Sequence, residues 1–529
     1  MREFNVTGLC VPDRHYMVDI SGKIEQIFKL VEGEKYFTIN RGRQYGKTTT
    51  IGMLEKRLPD DYICASLSFQ FSSDEMFAHE GGFCQELFSK IHRALMFEHK
   101  EEAKLWIDES ITDFKRLDFF ITERCRGKKI VLIIDESDEA SNNEIFVRFL
   151  KMLRDKFLLR IAGKDFTFHS VILAGVYDVR NLKQKMLLAG NYTPSTGESS
   201  MNSPWNIAID FDIDMSFSAK EIETLLVDYE NEHHTGMNIS EIAEEIRFYT
   251  SGYPYLVSRI CLLIESDLDS NWTLEGVQEA IKIILREDST LFSDMFKKIE
   301  EYPGLSETLY DLTIGKIKYD ANIDNPAIKF GVMFGFLARD TKMLQVHNKI
   351  FEIRITNYFI SVNTLKWREH IIQISENEII KNNVFNMELC LTKFKEHYAE
   401  IYTEKDLKFL ERNGKLLFLT YLKPLINNTG FYHFESETRD HGKIDMVIDY
   451  LKQQFIVELK LWYSDSKHKE AYEQLANYLK SKNMDKGYLL TFDFRQKGDD
   501  SLSENKWIEW DDKHIFDVVL RVEKKSRRN

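Results

Sequence analysis

The sequence predicts an α/β fold in two parts: a parallel sheet with a helical lid, then a smaller α/β domain built around a hairpin. Three observations carry this. In the first half, short apolar runs alternate with longer amphipathic segments, the pattern of a parallel sheet covered by helices. A Gly-Lys-Thr triplet, Gly46-Lys47-Thr48, stands between one such run and the helix after it. Near the C-terminus two apolar strands are separated by a short loop and carry opposed acids and a lysine.

The chain has 529 residues, enough for three or four domains. Hydrophobic residues at 43%, charged residues at 29% and only 8 prolines favour folded domains over long disordered stretches. Lys and Arg number 71 against 85 Asp and Glu, a net charge of −14, which excludes a broadly basic coat for nucleic acid. From Lys405 onward there are 23 Lys and Arg against 21 Asp and Glu, so the last quarter is the part least hostile to a polyanion. The six cysteines are scattered, none in a Cys-x-x-Cys pair. They read as reduced core thiols of a cytoplasmic protein rather than as a zinc site. No apolar run approaches the roughly 18–20 residues of a membrane span, and Met1-Arg2-Glu3-Phe4-Asn5 lacks a secretory pattern. Secreted and membrane classes are therefore not expected.

Taken in order, the expected strands are Tyr36–Asn40, Tyr62–Phe69, Ile130–Asp135, Phe166–Ala174 and Ile207–Phe211. The expected helices are Lys47–Leu58, Gly82–Glu98, Asn142–Leu159 and Lys220–Asn231. Gly190–Pro204 is rich in Gly, Ser, Thr, Asn and Pro and reads as a mobile loop. From about Ser240 to Arg286 the pattern is helical. Between Leu291 and Ile360 short helices precede two apolar runs, Val332–Ala338 and Met343–Ile355. Helices followed by a strand pair suit a winged helix or, equally, a small linker domain. Helices at Glu388–Tyr402 and Leu407–Leu425 lead to the hairpin, a further helix and a last strand, Lys486–Phe492. The expected domains are 1–235 (sheet), 236–288 (helical lid), 289–365 (winged helix or linker), 366–403 (helical connector) and 404–529 (second α/β domain).

After the first strand comes Arg41-Gly42-Arg43-Gln44-Tyr45-Gly46-Lys47-Thr48-Thr49. A loop that holds phosphates needs backbone N–H groups at a helix N-terminus, a lysine for the β/γ-phosphates and a hydroxyl for Mg²⁺. Gly42, Gly46, Lys47, Thr48 and Thr49 are the candidates. Arg41 stands where the usual first glycine would be. The buried strand Ile130–Ile134 ends in Asp135 and Glu136, at the edge of the sheet where ligands bind. Asp135 would hold Mg²⁺ through water, and Glu136 would polarise the attacking water. Either motif alone is common; together at this spacing they point to ATP. Asp178 and Arg180, after the next strand, suit a γ-phosphate or a plain surface role.

These motifs, with Tyr16-Met17-Val18-Asp19-Ile20-Ser21, Ser203-Pro204-Trp205-Asn206 and Thr250-Ser251-Gly252-Tyr253-Pro254-Tyr255-Leu256, resemble the bacterial AAA-ATPase-like family over most of residues 1–360. Members of that family commonly end in a PD-(D/E)XK nuclease domain, and their loop is itself Arg-rich. Gly252-Tyr253-Pro254 is similar to the Gly-x-Pro of STAND-type P-loop ATPases, which implies a nucleotide-sensing place in the lid. Pro254 would sit near a helix start.

In the second domain, Gly442–Asp449 and Gln454–Lys460 form the hairpin around Tyr450–Gln453. A symmetric hairpin places Asp445 opposite Glu458, while strand alternation puts Glu458 and Lys460 on one face. Opposed acids repel unless a cation lies between them, and a hard dication with oxygen ligands, Mg²⁺ or Mn²⁺, fits. Lys460 could orient a water or steady a phosphate. A surface hairpin with a salt bridge is the plainer reading, disfavoured by the apolar flanks. Asp445…Glu458-x-Lys460 resembles the PD-(D/E)XK core, and Gln474-Leu475-Ala476-Asn477-Tyr478 is similar to the Gln-x-x-x-Tyr of RecB-like nucleases. The resemblance implies that Gln474 faces the metal or the nucleic-acid backbone, with helix packing as the alternative. It also implies an upstream acid, for which Glu411 and Glu437 both stand open.

The expectation is an ATPase fused to a metal-dependent nuclease that cleaves nucleic acid under nucleotide control. DNA is the expected partner, although no residue separates DNA from RNA, and homo-oligomerisation stays open. The alternative is a nucleotide-switched sensor or scaffold that binds nucleic acid or protein without cleaving; an ATPase that binds without turnover is a third. The clusters Lys524-Lys525 and Arg527-Arg528 could touch a polyanion but read first as a solvated tail.

Overall fold

The computed structural model of the protein describes residues 2–70, 74–137, 143–176, 205–315, 317, 319–322, 324–338, 342–366, 376–401, 410–426, 430–433, 446–462, 464–493 and 505–521. The chain forms two compact units. One is Met1–Ile284 with Asn322–Arg339, and the other is Leu285–Ala321 with Asp340–Asn529.

In the first unit, four apolar runs become the strands β1 (Tyr36–Asn40), β2 (Tyr62–Ser68), β3 (Lys129–Asp135) and β4 (Ser170–Gly175). They pair in parallel in the order β1-β4-β3-β2. Every residue of β4, and all of β3 but its first, is buried, as expected of strands covered on both faces. The core beneath them is aromatic: Trp106, Trp205, Phe83 and Phe149 are fully enclosed. The expected strand Ile207–Phe211 is reduced to one parallel bridge, Phe37 to Ile209, in which the Ile209 amide donates to the Tyr36 carbonyl at 2.9 Å. The segment Gly190–Pro204, Asp178 and Arg180 lie outside the described residues.

The helices start where local chemistry allows. Ala219–His233 opens on a full capping box between Ser218 and Glu221. Pro254–Ser266 opens with proline in the first turn, where its missing N–H costs nothing. The lid helices Ile239–Thr250, Pro254–Ser266 and Leu274–Ile284 follow one another closely.

The second unit corrects the expectation for its first part. The apolar run from Val332 does not begin a strand: Val332 and Met333 end the helix Pro326–Met333, started by Pro326 and capped by Asn325, and that segment belongs to the first unit. Most of the run from Met343 is the helix Lys349–Lys366, whose Phe351, Ile355 and Phe359 recur at helical spacing on its buried side. Asn348 Oδ1 accepts from the Phe351 amide at 2.8 Å and fixes the start. Among the described residues the winged-helix strand pair is replaced by one isolated bridge, Asp320 to Met343. Tertiary burial of the helical face overrides the β-branched composition.

Farther on, β5 (Ile380–Lys381) and β6 (Val384–Phe385) form a minimal hairpin over Asn382 and Asn383, both at positive φ. The strands β7 (Gly430–His433), β8 (Met446–Tyr450), β9 (Gln453–Leu461), β10 (Lys486–Asp493), β11 (Lys506–Trp510) and β12 (Lys513–Arg521) then make one mixed sheet. Its order is β11-β12-β10-β9-β8-β7. Lys486–Phe492 is therefore not the last strand. Two more follow, joined by Asp511 and Asp512 at positive φ, and β12 runs parallel to β10. The helix Asp465–Ser481 packs Leu475 and Leu479 against one face of this sheet. On the other face Phe492 lies against Gly414 of the helix Leu410–Ile426.

Gly252 is a backbone constraint of the first unit. Its φ is +71°, and a Cβ there would collide with the backbone of Phe217. The Phe217 amide also donates to the Gly252 carbonyl at 2.8 Å. Gly252→Ala is expected to cost about 3 kcal/mol through left-handed strain and overpacking. Thermal unfolding of the variant against the parent checks this, and an unchanged midpoint would show that the Phe217 segment gives way freely.

Candidate functional site

The first candidate site is built at the C-terminal ends of β1 and β3. Beyond Asn40 the Arg41 amide donates to the Gly175 carbonyl of β4 at 3.2 Å, so the loop leaves the sheet in register. Arg41 has a holding role. Its guanidinium donates to the carbonyls of Asn40 (2.8 Å) and Ile213 (2.6 Å) and stacks over Phe211. The next turn needs a residue without Cβ, because a Cβ on Gly42 would stand 2.5 Å from the Phe334 carbonyl oxygen. Gly46, at φ +76°, turns the chain into the helix Lys47–Arg57.

Lys47 is buried, and its ammonium lies inside the loop. It donates to the carbonyls of Arg41 at 3.0 Å and Gly42 at 2.9 Å. Thr48 Oγ1 donates to Asp135 Oδ2 at 2.9 Å, which joins the loop to the acidic strand. Asp135 Oδ1 accepts from the amide of Glu136, itself in the left-handed region at φ 52°. Thr49 turns elsewhere: its hydroxyl accepts from the Cys10 amide at 3.2 Å and anchors the N-terminal segment to the helix. The segment Tyr253-Pro254 packs on the same loop. Tyr253 OH donates to the Arg43 carbonyl, its ring meets Tyr45 edge-on at 4.7 Å, and a Cβ on Gly46 would lie 3.9 Å from Pro254.

The second candidate site lies on the face of the C-terminal sheet toward the helix Asp465–Ser481. β8 and β9 pair as Met446 with Val457 and Tyr450 with Gln453, the register the symmetric hairpin predicts, around a turn of Leu451 and Lys452. Glu458 is 1% exposed, and its Oε1 lies 2.5 Å from Lys460 Nζ. The alternation of β9 puts both on one face. Gln474 is half-buried on the helix, one turn before the enclosed Tyr478. Asp445 and Glu437 lie outside the described residues, and Glu411 is placed only as part of the helix Leu410–Ile426.

Residues 431–501 match the family model described as the PD-(D/E)XK nuclease superfamily. The C-terminal domain is PD-(D/E)XK nuclease-like. The first unit has a four-stranded parallel sheet, a Gly-Lys-Thr loop after β1 and an acid at the end of β3. Solved structures similar to the chain include a Walker-type ATPase of Pyrococcus abyssi, at 12% identity over 66% of this chain and 99% of that one, with a TM-score of 0.43. Another is the Aeropyrum pernix ORC2 protein in ADPNP–ADP complexes, at 12% identity over 68% and 98%, with a TM-score of 0.39. No curated protein matches the chain.

The nuclease-like domain holds polar residues that the motifs do not announce. Asp517 of β12 is buried, and its Oδ2 accepts from Tyr472 OH at 2.6 Å and meets His468 Nε2 at 3.0 Å. Burial first, and then this carboxylate, push the Tyr472 hydroxyl pKa far above its ordinary value. An acid inside the apolar run Ile515–Leu520 is the available sequence signal. The segment around Phe334 and Gly335, which packs on Gly42, has no such signal, since it is remote in sequence and apolar.

Because the Lys47 ammonium is held inside the loop by the Arg41 and Gly42 carbonyls, Lys47→Ala tests whether the loop takes nucleotide: if it does, affinity is expected to fall about 10- to 100-fold, the range for one charge-assisted hydrogen bond. Titration with a fluorescent ATP analogue reads this; parental affinity in the variant would remove the loop from nucleotide recognition.

Proposed function

We propose that the chain binds and hydrolyses ATP in its first unit and cleaves nucleic-acid phosphodiesters, DNA in the first instance, in its nuclease-like domain. The observation that carries the nuclease half is the enclosed Glu458 with Lys460 on it, within a segment matched to the PD-(D/E)XK family. A buried carboxylate is costly without a partner, and in this domain the pair lies on a sheet face rather than on an exposed edge.

The donor chemistry suits a hard dication at both sites. Thr48 Oγ1 and Asp135 Oδ2 are adjacent oxygens at a helix N-terminus. They would hold Mg²⁺ beside the phosphates bound by the loop amides and Lys47. Glu136 would orient the attacking water. In the nuclease-like domain Glu458, with Asp445 from the expected ladder, would hold Mg²⁺ or Mn²⁺. Such an ion supplies an activated water and neutralises phosphate charge. Lys460 would steady the phosphate, and Gln474 would face the metal or the backbone. The upstream acid would come from Glu411 or Glu437.

Control of cleavage by nucleotide is part of the proposal, and the course of the chain supports it. The segment Asn322–Arg339 belongs to the first unit and lays Phe334 and Gly335 on Gly42 of the P-loop. Both of its ends continue directly into the second unit. A change of the loop on nucleotide binding would therefore pull on chain that leads to the nuclease. One observation favours a second reading: a net charge of −14 suits a sensor or scaffold that does not cleave.

Cleavage of single- and double-stranded DNA and RNA with Mg²⁺ or Mn²⁺ decides between them. Glu458→Ala is expected to lower the rate at least about 100-fold, as for the loss of a group acting on transition-state charge. Equal rates for parent and variant would favour the scaffold. Adding ATP is expected to change the parental rate and to leave that of Lys47→Ala unchanged; cleavage indifferent to ATP in both would remove the control.

A further inference from the structure

Resting on the proposed nuclease site, one more residue of the same sheet face requires an explanation. β9 and β10 pair in parallel, with Glu458 beside Leu489 and Lys460 beside Thr491. Registered neighbours point to the same face, at a strand spacing of about 4.8 Å. Thr491 therefore flanks Lys460 on the side that also carries Glu458. It is 0% exposed, and its Oγ1 has no hydrogen-bond partner among the described residues. Its neighbours in β10 are apolar, and valine would fill the same volume without an unsatisfied hydroxyl.

The state of Lys460 supplies a reason for that hydroxyl. With Oε1 of Glu458 2.5 Å away, the ammonium occupies the carboxylate that a dication would need. A cation at Glu458 repels the ammonium and displaces it; the side chain is partly exposed, and the acceptor in register beside it on the sheet face is the Thr491 hydroxyl. We infer that Thr491 is a positioning residue for Lys460: its Oγ1 accepts from Nζ once Glu458 takes up a divalent cation. The hydroxyl eases the release of the carboxylate and holds the ammonium on the sheet face, toward the substrate phosphate. Asp493, two residues on, lies near Arg521, 3.8 Å from that guanidinium, and is engaged.

The test is a double-mutant cycle on Mn²⁺ affinity, read by calorimetry on the full chain without nucleic acid. Thr491→Val keeps the shape and is expected to fold with an unchanged or higher melting temperature. Its Mn²⁺ affinity should fall about 3- to 10-fold, the worth of one hydrogen bond, and Thr491→Ser should restore it. In a Lys460→Met background, Thr491→Val should have no effect, since no ammonium then competes for Glu458. Cleavage should follow, with kcat lower in Thr491→Val at constant KM. Equal Mn²⁺ affinity in the parent and Thr491→Val overturns the inference, as does a loss that persists in the Lys460→Met background. A parent that binds Mn²⁺ through Glu458 but cleaves nothing sinks the nuclease reading, while the coupling of Thr491 to Lys460 is still decided by affinity. Mn²⁺ affinity that is the same in the parent and Glu458→Ala overturns both.

Discussion

The hydroxyl of Thr48 and the carboxylate of Asp135 come from segments 87 positions apart, yet their hydrogen bond is 2.9 Å long. That contact requires the C-terminal ends of β1 and β3 to stand nearly level, and β4 sets the level by lying between them. Asn40 pairs with Gly175, and Ile134 pairs with Leu173. A slip of one residue in the β3–β4 ladder would turn Asp135 to the opposite face. The polar end of the first unit thus depends on apolar pairing below it: buried Val131, Leu132, Ile133 and Ile172 fix the register. The loop is braced from within by Lys47 on the Arg41 and Gly42 carbonyls. It is held from outside by Arg41 on Ile213, by Tyr253 on Arg43 and by the Phe334 carbonyl against Gly42.

That dependence explains which parts of the molecule can be read from the sequence. The four parallel strands, the helix after the P-loop and the hairpin register are local consequences of periodicity and turn placement, so Lys47, Asp135, Glu458 and Lys460 stand out from the residues alone. The reading fails where tertiary burial decides. Ile350, Ile353 and Ile355 look like strand residues but pack as one helix. The start of the run Val332–Ala338 is taken over by a helix that Pro326 and Asn325 start. β11 and β12 escape notice because an Asp-Asp turn and the polar residues His514 and Asp517 interrupt their apolar pattern. The packing of Phe334 on Gly42, 292 positions away in the chain, leaves no local trace at all.

The departure of Arg41 from the usual glycine follows from the same packing. A glycine there would free the loop to close by itself. An arginine makes closure depend on the Ile213 carbonyl and the Phe211 ring, on the segment that forms the bridge beside β1. The loop geometry is thereby tied to the segment that lies beside β1. Gly252, through Phe217, ties the lid to the chain just beyond that segment.

The C-terminal sheet divides its two faces by chemistry. On the side of the helix Leu410–Ile426, Tyr488, Leu490 and Phe492 are apolar or nearly so, and this side supplies ordinary hydrophobic stability. On the side of the helix Asp465–Ser481, Leu489 separates two polar groups in register, Glu458 on β9 and Asp517 on β12. Both carboxylates are enclosed, and each is met by a specific partner, Lys460 in one case and His468 with Tyr472 in the other. Replacing either set with apolar side chains would make a simpler core, since buried ion pairs are weak sources of stability. The Asp517 cluster is locked on both sides by a helix and a strand, which suits a fixed brace between β12 and the helix. Lys460 is different: its side chain is 34% exposed while the carboxylate it touches is 1% exposed. An ammonium that can reach solvent, resting on an acid that cannot, is the mobile member of the pair, and the face of the sheet that sacrifices packing does so around that one movable charge.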